Sequence, residues 1–231
     1  MSEIVKPRRS YSSSRRSAQA ADTRAAVIEA ARQTFMRDGW QKATIVAVAE
    51  RAGVSPETVY AGFRNKRTLL QEAITAAVRG PAPQTPLMQQ AGPRAVLEAS
   101  DQRQQLTLFV ADIGGILERV APMMAVLRTA AETEPELADH YAALHLGRRQ
   151  NFERVVDALL RNGPLRVDRD TAVASIARLT SPELFLLVTR VEAVSPAQYR
   201  DWLLETLTAL LLPSLRVDAS ISLAPERAPT A

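Results

Sequence analysis

An all-α fold is what this 231-residue chain predicts. Ala and Leu dominate it while aromatic residues make up only 5%, a balance that favours helix over strand. Runs of β-branched residues with the period of a strand are few. Ser, Thr or Asp ahead of Pro or ahead of a Gln three positions on, and Gly just beyond apolar-periodic stretches, recur as helix starts and stops. The length allows one or two domains with a real core. Hydrophobic residues are 46% and charged residues 23% of the chain, the proportions of a folded globular protein. The absence of cysteine excludes a disulfide framework, a thiol nucleophile and a sulfur-ligated zinc site.

Residues 1–20 read as a disordered basic arm, with Lys6, Arg8, Arg9, Arg15 and Arg16 among serines and little apolar to bury. Asp22 is a candidate cap for a first helix, on which Val27, Ala31 and Phe35 recur every fourth residue until Gly39. Thr44 opens a second, with Ile45, Val48, Ala49 and Ala52 on one face and Gly53 at its end. Ser55-Pro56 starts a third over 56–63 that buries Val59 and Phe63, and a fourth over 66–79 stops at Gly80-Pro81. Beyond the Pro-rich break at 81–86, Asp101 with Gln104 opens a helix through Leu117 and Pro122 starts another. Pro135 begins a long helix stopped by Asn162-Gly163. Asp168, Ser181-Pro182 and Ser195-Pro196 open the last three, and the tail 214–231 is polar and expected to fray.

Charge divides the chain unevenly. Residues 1–80 hold 14 Lys and Arg against 7 Asp and Glu, and residues 81–231 hold 15 against 18. A basic first third suits a polyanion. The spacing there suits DNA in particular, because a short helix, a tight turn and a second short helix form the minimum unit for reading a major groove. Ala49 is small where two helices must cross, and Gly53, four residues on, supplies the turn. Ser55 and Pro56 set the start of the reading helix, whose outward positions are Glu57, Thr58, Tyr60 and Ala61. Glu57 suits a cytosine amino group and Ala61 a thymine methyl. Thr44, Tyr60 and Lys66 flank the helix with donors for phosphates.

These residues resemble the DNA-binding domain of TetR-type transcriptional regulators. The resemblance spans about residues 21–81, with the helix-turn-helix at 44–63, and is carried above all by "VAERAGVS", "TVY" and "FRNKRTLL". "LTSPELF" and "SPAQYRDWLLETL" look more loosely like the last helices of many family members. The resemblance implies a homodimer that binds a roughly palindromic double-stranded operator. It also implies a helical second domain, here 82–213, that takes a small effector, dimerises, and lowers DNA affinity when filled. The chain departs from the family pattern at Ala61-Gly62, where an aromatic or His often follows the tyrosine.

The long helix from Pro135 carries an apolar stripe interrupted by Arg148, with His145 alongside. Buried polar groups on such a stripe need partners, and the arrangement suggests a mostly apolar pocket with a few orienting groups. Its expected lining is Leu106, Phe109, Met123, Leu127, Tyr141, His145, Arg148 and Phe152, and its expected effector small and largely apolar. A stripe of ordinary core residues explains the same pattern. Leu203, Leu207, Leu210 and Leu211, with Leu184, Phe185, Leu187 and Val188, suggest a two-fold four-helix interface.

No nucleophile elbow or phosphate loop is present, and Glu136 with His140 supplies too few ligands for a metal. Catalytic residues, metals and cofactors are therefore not expected. Without a long apolar stretch or a leader-like segment, the chain reads as a cytoplasmic protein that does not meet a membrane. The leading expectation is a ligand-responsive repressor, and its alternative is a constitutive dimeric DNA-binding accessory protein without an effector.

Overall fold

Side-chain caps set where most of the helices begin. The computed structural model describes residues 11–213, so the expectations for residues 1–10 and for the tail 214–231 lie outside the described residues. Among these the chain forms ten α-helices, one 3-10 turn (Leu87–Gln89) and one π-helical turn (Leu187–Val191). The helices are α1 (Tyr11–Lys42), α2 (Ile45–Ala52), α3 (Pro56–Phe63), α4 (Lys66–Arg79) and α5 (Ala91–Glu98). They continue as α6 (Gln102–Ala131), α7 (Pro135–Asn162), α8 (Arg169–Leu179), α9 (Pro182–Leu186) and α10 (Pro196–Leu211). Thr44, Ser55, Asp101, Asp168, Ser181 and Ser195 each accept a bond from the backbone N–H three residues on. At Ser195 the Gln198 side chain accepts the return bond from the cap's own N–H, completing a capping box.

Three helix boundaries differ from expectation. The segment 11–20, expected as unfolded arm, is the first part of α1, and Asp22 lies inside the helix instead of capping it. Between Tyr11 and Asp22 there is no Gly or Pro to stop a helix, and Ala18, Ala20 and Ala21 favour one. Pro122 does not start a helix but sits within α6. Leu117, Met123, Met124 and Leu127 are buried on both sides of it, and that packing outweighs the roughly 3 kcal/mol a mid-helix proline costs. The third difference is α5, preceded by Gln90 with no side-chain cap, so no start signal marked it. Gly39 breaks α1 as expected, with φ 69° and ψ −178°.

The buried residues form one continuous cluster from Val27 of α1 to Leu211 of α10. The central element is α6, which packs against α1, α4, α5, α7, α9 and α10. Leu203, Leu207 and Leu211 point into this cluster and are fully buried, as is Phe185 nearly so. They therefore close the chain's own core instead of presenting a face to a second copy. Leu210 is half-buried, and the large apolar side chains left exposed in this region are Leu187, Val191 and Trp202, at 46%, 75% and 41%. One stretch, Arg169–Val191, does reach the length and apolarity of a membrane span, with a mean hydropathy of 1.3. Its helix is interrupted at Thr180-Ser181 and gives way to the π-helical turn at Leu187.

Candidate DNA-binding face and effector cavity

The turn between α2 and α3 is fixed by backbone bonds. Gly53 adopts φ 68° and ψ 31°, the left-handed conformation a side chain disfavours. Its N–H donates to the Glu50 carbonyl, and the Val54 N–H donates to the Ala49 carbonyl at 3.0 Å. This pair of bonds is a Schellman closure of α2. Ser55 then caps α3, accepting from the Thr58 N–H at 3.3 Å, with Pro56 in the first helical position. Val59 and Phe63 are buried beneath α3, while Glu57, Thr58, Tyr60 and Ala61 are exposed together with Thr44 and Ser55. Pro56 is half-buried.

The exposed positions are not equally free. The Thr58 hydroxyl lies 3.2 Å from the Ser55 hydroxyl. The Glu57 carboxylate takes bonds from its own N–H and from Ser55, which hold its pKa below the ordinary value. The start of α3 thus carries a firm negative charge, which suits a base-edge amino group better than a phosphate. Tyr60 is 51% exposed and presents its ring and hydroxyl from the middle of α3. Gly62, next to Ala61, has open space around it, and its carbonyl accepts from Arg24 of α1 at 3.2 Å. The Arg24 guanidinium also lies over the Phe63 ring and pairs with Glu72 at 3.1 Å, tying α1, α3 and α4 together.

Lys66 corrects the expectation of a phosphate donor reaching outward. Its ammonium donates to the Trp40 carbonyl at 2.5 Å and the Ala43 carbonyl at 2.9 Å, and lies 4.1 Å above the Trp40 ring. Burial lowers its pKa, while the Glu134 carboxylate acts in the opposite direction. Gly39 ends the regular turn of α1 and leaves those carbonyls open, so the lysine fastens α4 to the end of α1. Sequence reasoning passed over Lys42 and Arg64. Both are exposed beside the α2–α3 unit, and their signal was their place at the end of α1 and just after α3.

A cavity of about 450 Å³ opens between α4, the 86–96 segment, α6 and α7. Of the expected lining, Phe109, Arg148 and Phe152 are present, the two rings edge to face at 5.9 Å. Leu106, Met123 and Leu127 are fully buried in the core and do not reach it, and Met124 takes the place given to Met123. Tyr141 and His145 also lie away from it. Tyr141 donates to Glu183 at 2.8 Å, and burial with that carboxylate pushes its pKa up to about 12. His145 stacks edgewise on Tyr141, and burial lowers its pKa.

Arg148 lines the cavity but its guanidinium is engaged. It donates to the Thr180 carbonyl at 2.8 Å, the Thr180 hydroxyl at 3.2 Å and the Ala177 carbonyl at 3.3 Å. It therefore closes the carbonyl end of α8, where a cation is favoured. Asp112 is the one carboxylate among the lining residues, and burial raises its pKa. The residues missed by sequence reasoning include Thr75, Val78 and Arg79, which bring the second half of α4 to the wall.

The family model described as bacterial regulatory proteins, tetR family, matches residues 27–73. The HTH-type transcriptional repressor BepR of Brucella suis biovar 1 is 29% identical over 160 residues, covering 56% of this chain and 75% of the relative. A transcriptional regulator from Saccharomonospora viridis, solved in complex with choline, superposes with a TM-score of 0.66 at 19% identity, over 83% of this chain and 98% of that one. The transcriptional regulator FadR from Bacillus subtilis, solved in complex with stearoyl-CoA, gives 0.63 at 16% identity, over 79% and 96%. Both share the fold of this chain. The helix-turn-helix built by Thr44, Gly53 and Ser55 lies within the stretch matched by the family model, so the resemblance to bacterial regulatory proteins of the tetR family rests on the segment that carries the candidate DNA-binding face.

Proposed function

We propose that this protein is a homodimeric repressor that binds a palindromic operator in the cytoplasm and leaves it when a small, largely apolar effector fills the cavity. Residues 21–81 form the DNA-reading unit and 82–213 the effector and dimer unit. The observation that carries the reading is the span of α4. At one end Lys66 holds the end of α1, and Arg67 pairs with Glu134 just ahead of α7 at 2.9 Å and with Glu136 in the first turn of α7 at 3.0 Å. At the other end Thr75, Val78 and Arg79 line the cavity. A ligand that displaces the cavity wall displaces the same rigid helix that sets the orientation of α3. The effector need only bind the DNA-free arrangement better than the bound one.

The two-fold interface falls to the exposed side chains Leu187, Val191 and Trp202, in place of the buried leucines of α10. Two copies are needed because one short helix reads few base pairs, and half-sites lie about 34 Å apart, one DNA turn. The test is fluorescence anisotropy on a duplex selected from a random library, followed by titration of lipophilic compounds that raise the melting temperature of the free protein. Compounds that stabilise it by mass action are expected to lower anisotropy. Stabilising compounds that leave the complex intact would contradict effector release.

A further inference from the structure

The cavity is apolar on most of its wall, and its charged groups differ in how they are used. Arg148 is spent on the carbonyl end of α8. Arg79 donates to the Pro83 carbonyl at 3.0 Å. Asp112 is different. It makes no hydrogen bond and no ion pair within 4 Å to any described residue, and the charge acting on it is Arg119, whose Nε donates to the Ala77 carbonyl at 3.1 Å. A carboxylate in such a place is desolvated with no direct partner and only the more distant Arg119 as counter-charge, and burial raises its pKa. Its position is also set closely. A Cβ on Gly92 would collide with Asp112 Oδ1, so the glycine of α5 is what admits the carboxylate to this wall.

Resting on the effector reading above, we infer that the cavity takes a lipophilic cation, an apolar body carrying one ammonium group, with Asp112 as the counter-charge and Phe109 and Phe152 against the apolar part. The ligand's ammonium supplies the direct partner that no described residue gives Asp112, and the aromatic faces favour a cation as well. An anionic ligand meets the reverse situation. Its charge is repelled by Asp112, and the arginines that line the wall already hold carbonyl oxygens.

The test uses the full chain and three probes of one chain length, decyltrimethylammonium, 1-decanol and decanoate, each below its micellar concentration, with affinity read by calorimetry and by thermal shift. The cation is expected to bind at least tenfold more tightly than the other two. Asp112→Asn keeps the volume and removes the charge, and is expected to reduce that affinity at least tenfold while leaving decanol unchanged. Gly92→Ala displaces the carboxylate and is expected to weaken the cation alone. If Asn disturbs folding, as read by circular dichroism, Asp112→Ser provides the same comparison. Decanol or decanoate binding as tightly as the cation, or a cation affinity untouched in Asp112→Asn, would overturn the charge preference while the effector cavity stands. Binding of none of the three probes would overturn the cavity reading itself.

Discussion

Lys66 and Arg148 show what a single residue can and cannot reveal before the fold is known. Both are legible as cations at special places, one at the first position of a helix and one on an apolar stripe. Neither partner was legible, because the carbonyls they hold belong to residues 23 to 32 positions away that only the tertiary fold brings close. The fold assigns Lys66 a fastening role, so Lys66→Met is expected to destabilise the protein by about 1–2 kcal/mol. It should also weaken every DNA sequence alike without the one-unit change in salt slope that loss of a phosphate contact gives. Urea denaturation and anisotropy at several salt concentrations check both parts. The histidines give a pH prediction. Burial lowers the pKa of His140 and of His145 below the ordinary value. The unfolded chain thus binds protons that the folded chain resists, and stability falls as pH drops through the ordinary histidine range toward the lowered values. The double variant His140→Gln with His145→Gln is expected to flatten that fall between about pH 7 and 5. A wild-type stability constant over the same interval would contradict the assignment.

Among the elements, α2 and α3 were read closely from sequence because their determinants are local: Thr44, Gly53, Ser55 and Pro56 act within a few residues of themselves. Gly53→Ala is expected to cost about 1 kcal/mol, the penalty of a side chain in the left-handed region, and to reduce DNA affinity through the tilt of α3. Tyr60→Phe is expected to leave stability within about 0.5 kcal/mol, as surface changes do, and to reduce DNA affinity. Helix α6 was misread for the opposite reason. Pro122 is a local stop signal, and what overrides it is burial on both sides by distant helices. The cavity followed the same rule. Phe109, Arg148 and Phe152 were found from periodicity, but periodicity places a residue on a face without saying whether that face meets core or empty space. Leu106, Met123 and Leu127 therefore fell into the core.

The whole molecule joins these elements through one core that runs from the DNA-reading helices to α10. That continuity changes the dimer test that the sequence suggests. Leu207 is fully buried, so Leu207→Glu is expected to unfold the chain, whereas Leu187→Glu with Val191→Glu should give a folded monomer seen by light scattering. An unaltered dimer in the second variant would move the interface elsewhere. Whether the exposed face of α3 reads DNA sequence is decided by selection of bound duplexes from a random library. The wild-type chain is expected to enrich one palindromic site with half-sites about one helical turn apart, and Thr58→Ala to enrich a site altered within each half. No enriched sequence, or the same site from both proteins, would contradict the claim.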